Sequence, residues 1–173
     1  KYNQGEVSEF HIVGGLHPDY PFEYYLDLLS GLKKRFPLVH IQAYTAVELE
    51  YLSQLANLPL KETLEKLVEA GLGSIPGGGA EVFAKRVRRK ICGDKITGEE
   101  WLRVHETVHL SGLKSNATLL YGHLETVEER TDHLIRLREL QDRTHGFVTF
   151  IPLAFHPENT VLDFLKTTPG QLD

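Results

Sequence analysis

Apolar residues along this chain fall either into short runs or into three- and four-residue steps. Phe10-His11-Ile12-Val13 is a short β-type run that ends at Gly14-Gly15. Tyr24, Tyr25, Leu28, Leu29, Leu32 and Phe36 then recur at helical steps, and Pro37 stops the pattern. Pro21 suits the first position of that helix, with Asp19 or Tyr20 as its cap. Leu38 to Tyr44 reads as the second strand. Thr45 with Glu48 has the spacing of a capping box, and helical pattern follows to about Ala56. Leu60, Leu64, Leu67 and Val68 mark a further helix that Gly71 closes. A third, short strand over Gly73 to Pro76 runs into Gly77-Gly78-Gly79.

A helix is predicted to start at once after those glycines, at Ala80-Glu81, and to bury Phe83, Val87 and Ile91. Lys85, Arg86, Arg88, Arg89 and Lys90 make it basic, a solvated face from which one arginine could turn towards an anion. Thr97 with Glu100 opens the next helix, whose core stripe is Trp101, Val104, His105 and Val108 and whose end is Gly112. Lys114 to Tyr121 is a strand closing at Gly122-His123. Thr126 with Glu129 starts a long helix bearing Leu134, Leu137 and Leu140 and ending near Gly146. Phe147 to Leu153 is the last strand. It leads to His156-Pro157-Glu158-Asn159, and helical pattern resumes over Val161 to Leu165.

Strands therefore begin near residues 10, 38, 72, 114 and 147, about one β/α unit apart. Strands alternating with helices predict an α/β fold with a parallel sheet and right-handed crossovers, either a (β/α) barrel or a doubly wound sheet. A complete eight-unit barrel needs roughly 200 residues or more. As a barrel, this single domain over 1–173 is a part of one, with exposed sheet edges that something must cover, a second copy included.

Composition narrows the classes. With 41% hydrophobic and 25% charged residues and a net charge of −5, the chain suits a globular protein and not a nucleic-acid or membrane-surface binder. No apolar run approaches the roughly 18 residues of a membrane span, and no signal peptide opens the chain, so a cytoplasmic location is expected. Cys92 is the single cysteine, which excludes an internal disulfide and a multi-cysteine metal site within these residues. The chain opens on Lys1 and contains no Met, which suggests that something upstream was trimmed.

In parallel α/β folds, ligands sit at the C-terminal ends of the strands. The unusual residues gather there: Gly14-Gly15-Leu16-His17, Tyr44-Thr45, Ser74 with Gly77 to Gly79, Tyr121-Gly122-His123, and His156 to Asn159. The strand starts hold nothing comparable except His40. Three glycines leave the backbone open to close approach, and a helix starting behind them would aim unpaired amides at an anion. His17, His123 and His156 could ligate a metal, but no two form an H-x-H pair, and polar contact to a ligand is the expected role; no metal site is predicted.

Ser74-Ile75-Pro76-Gly77-Gly78-Gly79-Ala80-Glu81, Tyr121-Gly122-His123-Leu124-Glu125-Thr126 and Leu137 to Asp142 resemble blocks shared by one enzyme group. These are the radical S-adenosylmethionine enzymes of the futalosine route to menaquinone and of deazaflavin biosynthesis. Gly14-Gly15-Leu16-His17-Pro18, Ser115-Asn116-Ala117-Thr118 and the stretch Phe150 to Thr160 look most like the aminofutalosine synthases. The related cyclic dehypoxanthinyl futalosine synthases usually carry Trp and Gln where this chain has Leu153 and His156. The resemblance covers about Phe10 to Leu162.

The resemblance implies a barrel that holds a 4Fe–4S cluster on three cysteines of a C-x-x-x-C-x-x-C loop after its first strand. It implies S-adenosylmethionine as co-substrate, an external electron donor, and a small-molecule substrate, 3-[(1-carboxyvinyl)oxy]benzoate. The 5′-deoxyadenosyl radical would add to that vinyl ether, and rearrangement with loss of the carboxylate would give aminodeoxyfutalosine. By the same resemblance, Gly14 and Gly15 meet the methionine amino group through backbone. The family's acidic third residue is replaced by Leu16, so His17 or backbone carbonyls are expected to help. Ser74 is expected at the ribose, with Tyr44 beside it, and Gly77, Gly78 and Gly79 at the ribose or the substrate carboxylate. Asn116, Thr118 and Tyr121 are expected to alternate inward for adenosine or substrate contact. His156 and Asn159 are the candidates for the aryl substrate or for proton movement.

The cysteine loop is missing, so the chain is expected to be the central piece of a larger enzyme, without the first unit and the C-terminal part, and inactive alone. Cys92 is expected to be a half-buried structural residue. Two other classes stay open. One is a non-radical barrel module that binds phosphate at the glycines; the other is a structural half-barrel that dimerises through its edges.

Overall fold

The computed structural model describes residues 7–160 and 162–165. Five parallel strands lie in the order in which they occur: β1 (Glu9–Ile12), β2 (His40–Ala43), β3 (Ser74–Ile75), β4 (Lys114–Tyr121) and β5 (Phe147–Ala154). A doubly wound sheet would reverse its strand order part-way. Here the order never reverses, so the units follow one another as in a (β/α) barrel. Among the described residues β1 and β5 pair on one side only, and the barrel is not closed.

Helices fill the crossovers: α1 (Phe22–Arg35), α2 (Ala46–Ala56), α3 (Leu60–Ala70), α4 (Lys85–Ile91), α5 (Gly98–Leu110) and α6 (Val127–Thr144). The three predicted capping boxes all form, at Thr45/Glu48, Thr97/Glu100 and Thr126/Glu129. Helix α1 begins one residue later than expected. Pro21 itself is its N-cap, and neither Asp19 nor Tyr20 caps it. The strand predicted over Leu38 to Tyr44 shortens to four residues. The helix predicted near the end reduces to one 3-10 turn, Asp163–Leu165, and Val161 lies outside the described residues.

The core lies between the outer face of the sheet and the helices. Ile41, Ala43, Ile75 and Ala117 pack there against Leu29, Leu49, Leu64, Trp101 and Val104. Alternation along a strand then sends His40, Gln42, Ser74 and Asn116 to the other, inner face. Leu134 is one of the three leucines that mark α6 in the sequence. It is 41% exposed, because His133 and Leu137 are the residues that face the sheet. Strand β5 exposes Val148, Phe150 and Leu153, as an edge strand with no further neighbour does. No helix among the described residues is long and apolar enough to cross a membrane.

Candidate functional site

Interiors of closed barrels are filled mainly by branched apolar side chains. The inner face here is polar and hydrogen-bonded from strand to strand. His40 Nε2 lies 2.7 Å from Ser74 Oγ, and the Gln42 amide donates to the same hydroxyl at 3.2 Å. Asn116 donates to Gln42 Oε1 at 3.4 Å, bridging β4 to β2 across β3. Ser74 and Gln42 are buried, and they are paired in register. Ser74 was expected at a strand end. It is the first residue of β3, so it sits on the floor of the inner face with His40 and Gln42. Such a layer matches hydroxyls and amides of a polar ligand, and its cross-strand bonds hold each donor in one orientation.

Above that floor runs the glycine loop, and each of its carbonyls is taken by a side chain. Thr118 Oγ1 donates to Gly77 O at 2.7 Å and Trp101 Nε1 to Gly78 O at 3.1 Å. Arg88 donates to Gly79 O at 3.1 Å and Ala80 O at 2.5 Å. The amides of Gly78, Gly79 and Ala80 meet no acceptor among the described residues. The protein's own packing requires glycine here. A Cβ on Gly77 would stand 2.6 Å from the Asn116 carbonyl oxygen, and one on Gly79, at φ 84°, 2.7 Å from Val47 Cγ2. Gly77→Ala is therefore expected to cost about 1–3 kcal/mol by pushing the loop off β4. A urea midpoint equal to that of the unaltered protein would show instead that loop and strand part easily.

The helix predicted at Ala80 starts only at Lys85. Two carbonyls that would begin it, those of Ala80 and Val82, are committed to the buried guanidinium of Arg88, and Glu81 adopts φ 45°. The glycine amides consequently do not form a helix N-terminus. Two arginines of the basic run are already committed to protein: Arg88 turns inward to carbonyls, and Arg86 pairs with Glu129 at 2.6 Å.

At the end of β1, Gly14 and Gly15 are exposed, and the Gly14 amide donates to Glu48 Oε1 at 2.9 Å. His17 is exposed too. Its Nδ1 accepts from the Asp19 amide at 3.2 Å, its carbonyl accepts from Tyr51 at 2.6 Å, and its ring stacks on Tyr20 at 4.0 Å. Between this loop, the start of α2 and Gly79 lies a cavity of about 370 Å³.

Several predicted residues face elsewhere. Tyr44 is buried in the helix layer, its hydroxyl donating to Tyr25 O at 3.0 Å. Tyr121 packs with Leu119, Val82 and Val87 on the outer face, under the Arg130 guanidinium at 5.5 Å. The parity of 116, 118 and 121 forbids all three from pointing inward. The ring of His123 is fully enclosed. Its Nδ1 accepts from the Leu124 amide at 2.7 Å and its Nε2 donates to Leu120 O at 3.0 Å, which leaves no lone pair for a metal. Glu125 folds that turn by accepting the amides of Gly122 and His123 at 2.7 and 2.9 Å. His156 and Asn159 are exposed in the loop after β5, with Asn159 at φ 61°, and their side chains make no hydrogen bond among the described residues. Gln42, Glu48 and Arg88 are the site-forming residues that the sequence reading passed over. Gln42 alone had a signal, since His40 and Gln42 interrupt an otherwise apolar strand at period two.

No group of three or more His, Cys, Asp or Glu among the described residues is placed to hold a metal ion. Cys92 caps the end of α4, half-buried, and burial pushes its thiol pKa up, away from the thiolate that a metal requires.

The chain is 54% identical over 162 residues to aminodeoxyfutalosine synthase of Thermus thermophilus, covering 94% of this chain and 43% of that protein. It is 44% identical over 173 residues to aminodeoxyfutalosine synthase of Streptomyces coelicolor, covering 99% and 43%. Against 5-amino-6-(D-ribitylamino)uracil–L-tyrosine 4-hydroxyphenyl transferase of Methanopyrus kandleri it is 38% identical over 153 residues, covering 88% and 42%. The chain thus spans less than half the length of these relatives. A match to the Radical SAM superfamily over residues 1–137, on a run of β/α units in unreversed order, places the chain in that superfamily.

Proposed function

We infer that the protein to which this chain contributes joins the 5′-deoxyadenosyl group of S-adenosylmethionine to 3-[(1-carboxyvinyl)oxy]benzoate, forming aminodeoxyfutalosine for menaquinone biosynthesis. One observation carries the reading. Identity is 54% and 44% to two aminodeoxyfutalosine synthases against 38% to the tyrosine hydroxyphenyl transferase, each over most of the chain. Radical SAM enzymes use S-adenosylmethionine and a 4Fe–4S cluster. These residues do not fit the cluster, because Cys92 is the single cysteine. On this reading its ligands and the contact for the electron donor lie in other parts of the protein, and the chain alone neither binds a cluster nor turns over.

What these residues contribute is binding and orientation. Ser74, Gln42, Asn116 and Thr118 support polar contacts to adenosine or the substrate. The unpaired amides behind Gly77 suit a carboxylate or a ribose oxygen. Gly14, Gly15 and His17 border the cavity that would take the methionine end. His156 and Asn159, exposed on the loop after β5, are the proposed contacts to the aryl group. Further strands of the same protein, rather than a second copy, would cover the edges of β1 and β5 and exclude water from the radical.

The test is turnover by the complete, cluster-loaded protein with a chemical reductant and S-adenosylmethionine. Mass spectrometry is expected to find aminodeoxyfutalosine from the carboxyvinyloxybenzoate. A product formed only from tyrosine and a ribitylaminouracil would overturn the assignment in favour of the transferase relatives' chemistry.

A further inference from the structure

Arg89 of the basic run is exposed and meets no carboxylate among the described residues. It lines a cavity of about 320 Å³ between α4 and the turn that leads to α5, a volume within the range of small-molecule sites. Four of the seven lining residues are cations, Lys85, Arg88, Arg89 and Lys95, and none is acidic. Carboxylates outside the wall meet two of them. Glu81 holds Lys95 at 2.6 Å, and Glu99 lies 3.7 Å from Lys85 but is shared with Arg136 at 3.6 Å. Arg88 has no carboxylate partner among the described residues, and its buried guanidinium donates only to carbonyls. Carbonyl oxygens satisfy its N–H groups and leave its charge without a counter-ion, which is costly away from water. The Cys92 thiol in the same wall supplies no negative charge, because burial pushes its pKa up. Helix C-termini attract cations in general, but that attraction acts equally on Lys90, which lies outside the cavity wall.

We propose that this cavity binds a small phosphate-bearing anion, a phosphomonoester or a diphosphate, on Arg89 and Lys85 over the buried charge of Arg88. Arg88 and Arg89 are the two positive charges that no carboxylate meets, and a phosphate group carries about two negative charges near neutral pH. The fork of Arg89 is uncommitted and suits two phosphate oxygens at once. The fork of Arg88 is taken by carbonyls, so it contributes charge alone. The contact of Lys85 with Glu99 is long and exposed, which leaves its ammonium free to turn to a ligand. The cations surround a hollow and are not spread along the whole helix, since exposed Lys90 is left out. That arrangement favours a small anion over the acidic surface of a protein. Arg88 also holds the carbonyls of Gly79 and Ala80, so the bound anion would steady the guanidinium that shapes the glycine loop.

Calorimetric titration of the complete protein with inorganic pyrophosphate, in a buffer free of phosphate and sulfate, tests this. The unaltered protein is expected to bind it, and to bind acetate, with its single charge, more weakly by roughly tenfold or more. Arg89→Gln is expected to weaken pyrophosphate roughly tenfold, the scale of one charge-assisted hydrogen bond, and Lys85→Gln to weaken it by a smaller factor. Both side chains are exposed, so neither change threatens the fold. Lys90→Gln removes a charge from the same helix outside the cavity and is expected to leave the affinity unchanged. A loss in Lys90→Gln equal to that in Arg89→Gln would overturn the proposal and mark α4 as a diffuse basic face, of the kind an acidic protein partner uses. Pyrophosphate binding that neither Arg89→Gln nor Lys85→Gln alters would place the anion elsewhere and overturn it as well. So would acetate binding as tightly as pyrophosphate, or an unaltered protein that binds no pyrophosphate.

Discussion

Acidification from pH 7.5 to pH 4.5 is expected to destabilise this protein sharply, with buried histidines as the cause. His133 is fully buried, stacked on Phe83 at 3.9 Å, and its Nε2–H donates to Thr118 O at 2.9 Å. Its Nδ1 has no partner, so a second proton would be a buried, unsatisfied donor. Burial pushes its pKa down to about 4. His109 is also pushed down to about 4 by burial, and His105 falls well below its ordinary value for the same reason.

Hydrogen bonds fix the neutral form of both. Thr144 Oγ1 donates to Leu140 O and so accepts from His109 Nδ1–H at 2.7 Å. His109 Nε2 must then accept from Ser115, whose oxygen accepts from His105 Nδ1–H, each at 2.8 Å. The unfolded chain binds protons at these sites below about pH 6.5, and the folded one does not until about pH 4. Stability contributed by the neutral rings is complete above that window and is lost as pH falls through it. For His133 alone the loss is about 3 kcal/mol. Urea midpoints measured across the range should fall steadily. His133→Gln, which keeps a donor for Thr118, should show a shallower fall. A flat profile in the unaltered protein would contradict the buried neutral assignment.

Arg88→Met is expected to cost about 3 kcal/mol and to loosen the glycine loop. The guanidinium is 5% exposed and donates to the carbonyls of Gly79, Ala80, Val82 and Ile96. Methionine keeps an unbranched apolar stem of similar bulk and leaves all four carbonyls without the guanidinium donors. Relief of the buried charge offsets part of that loss. Against a typical domain stability of about 5–15 kcal/mol the remainder is large. Lysine restores the charge without the fork of donors, so Arg88→Lys should recover less than half of the difference. Denaturant unfolding reads the stability, and hydrogen exchange at the Gly78 and Gly79 amides reads the loop. A Met variant as stable as the unaltered protein would mean that water reaches those carbonyls.

Much of the fold is legible because its signals are local. Each capping box needs only four residues of sequence, and all three form where the spacing places them. Helix α4 is the instructive failure. Ala80 to Ala84 has helical composition, yet Arg88 takes the carbonyls that a helix would have used, and that contact depends on a folded neighbourhood. Tyr121 fails for a simpler reason, since a strand's alternation separates it from Asn116 and Thr118. Glu48 was legible as a cap and illegible as a contact of the glycine loop, because only the parallel pairing of β1 with β2 brings Gly14 to its second oxygen.

By itself the sequence determined the succession of strands and helices, their period, the three caps, and the clustering of glycine and histidine after the strands. Those depend on the spacing of residues along one chain. Tertiary structure decided which polar residues meet. His40, Gln42, Ser74 and Asn116 come from three strands separated by tens of residues, and only parallel register puts their side chains in one hydrogen-bonded layer. Tertiary structure likewise turned Arg88 inward, hid His123, and set Glu48 against a glycine loop. Each of these was settled by the partner that burial brought within reach of a side chain.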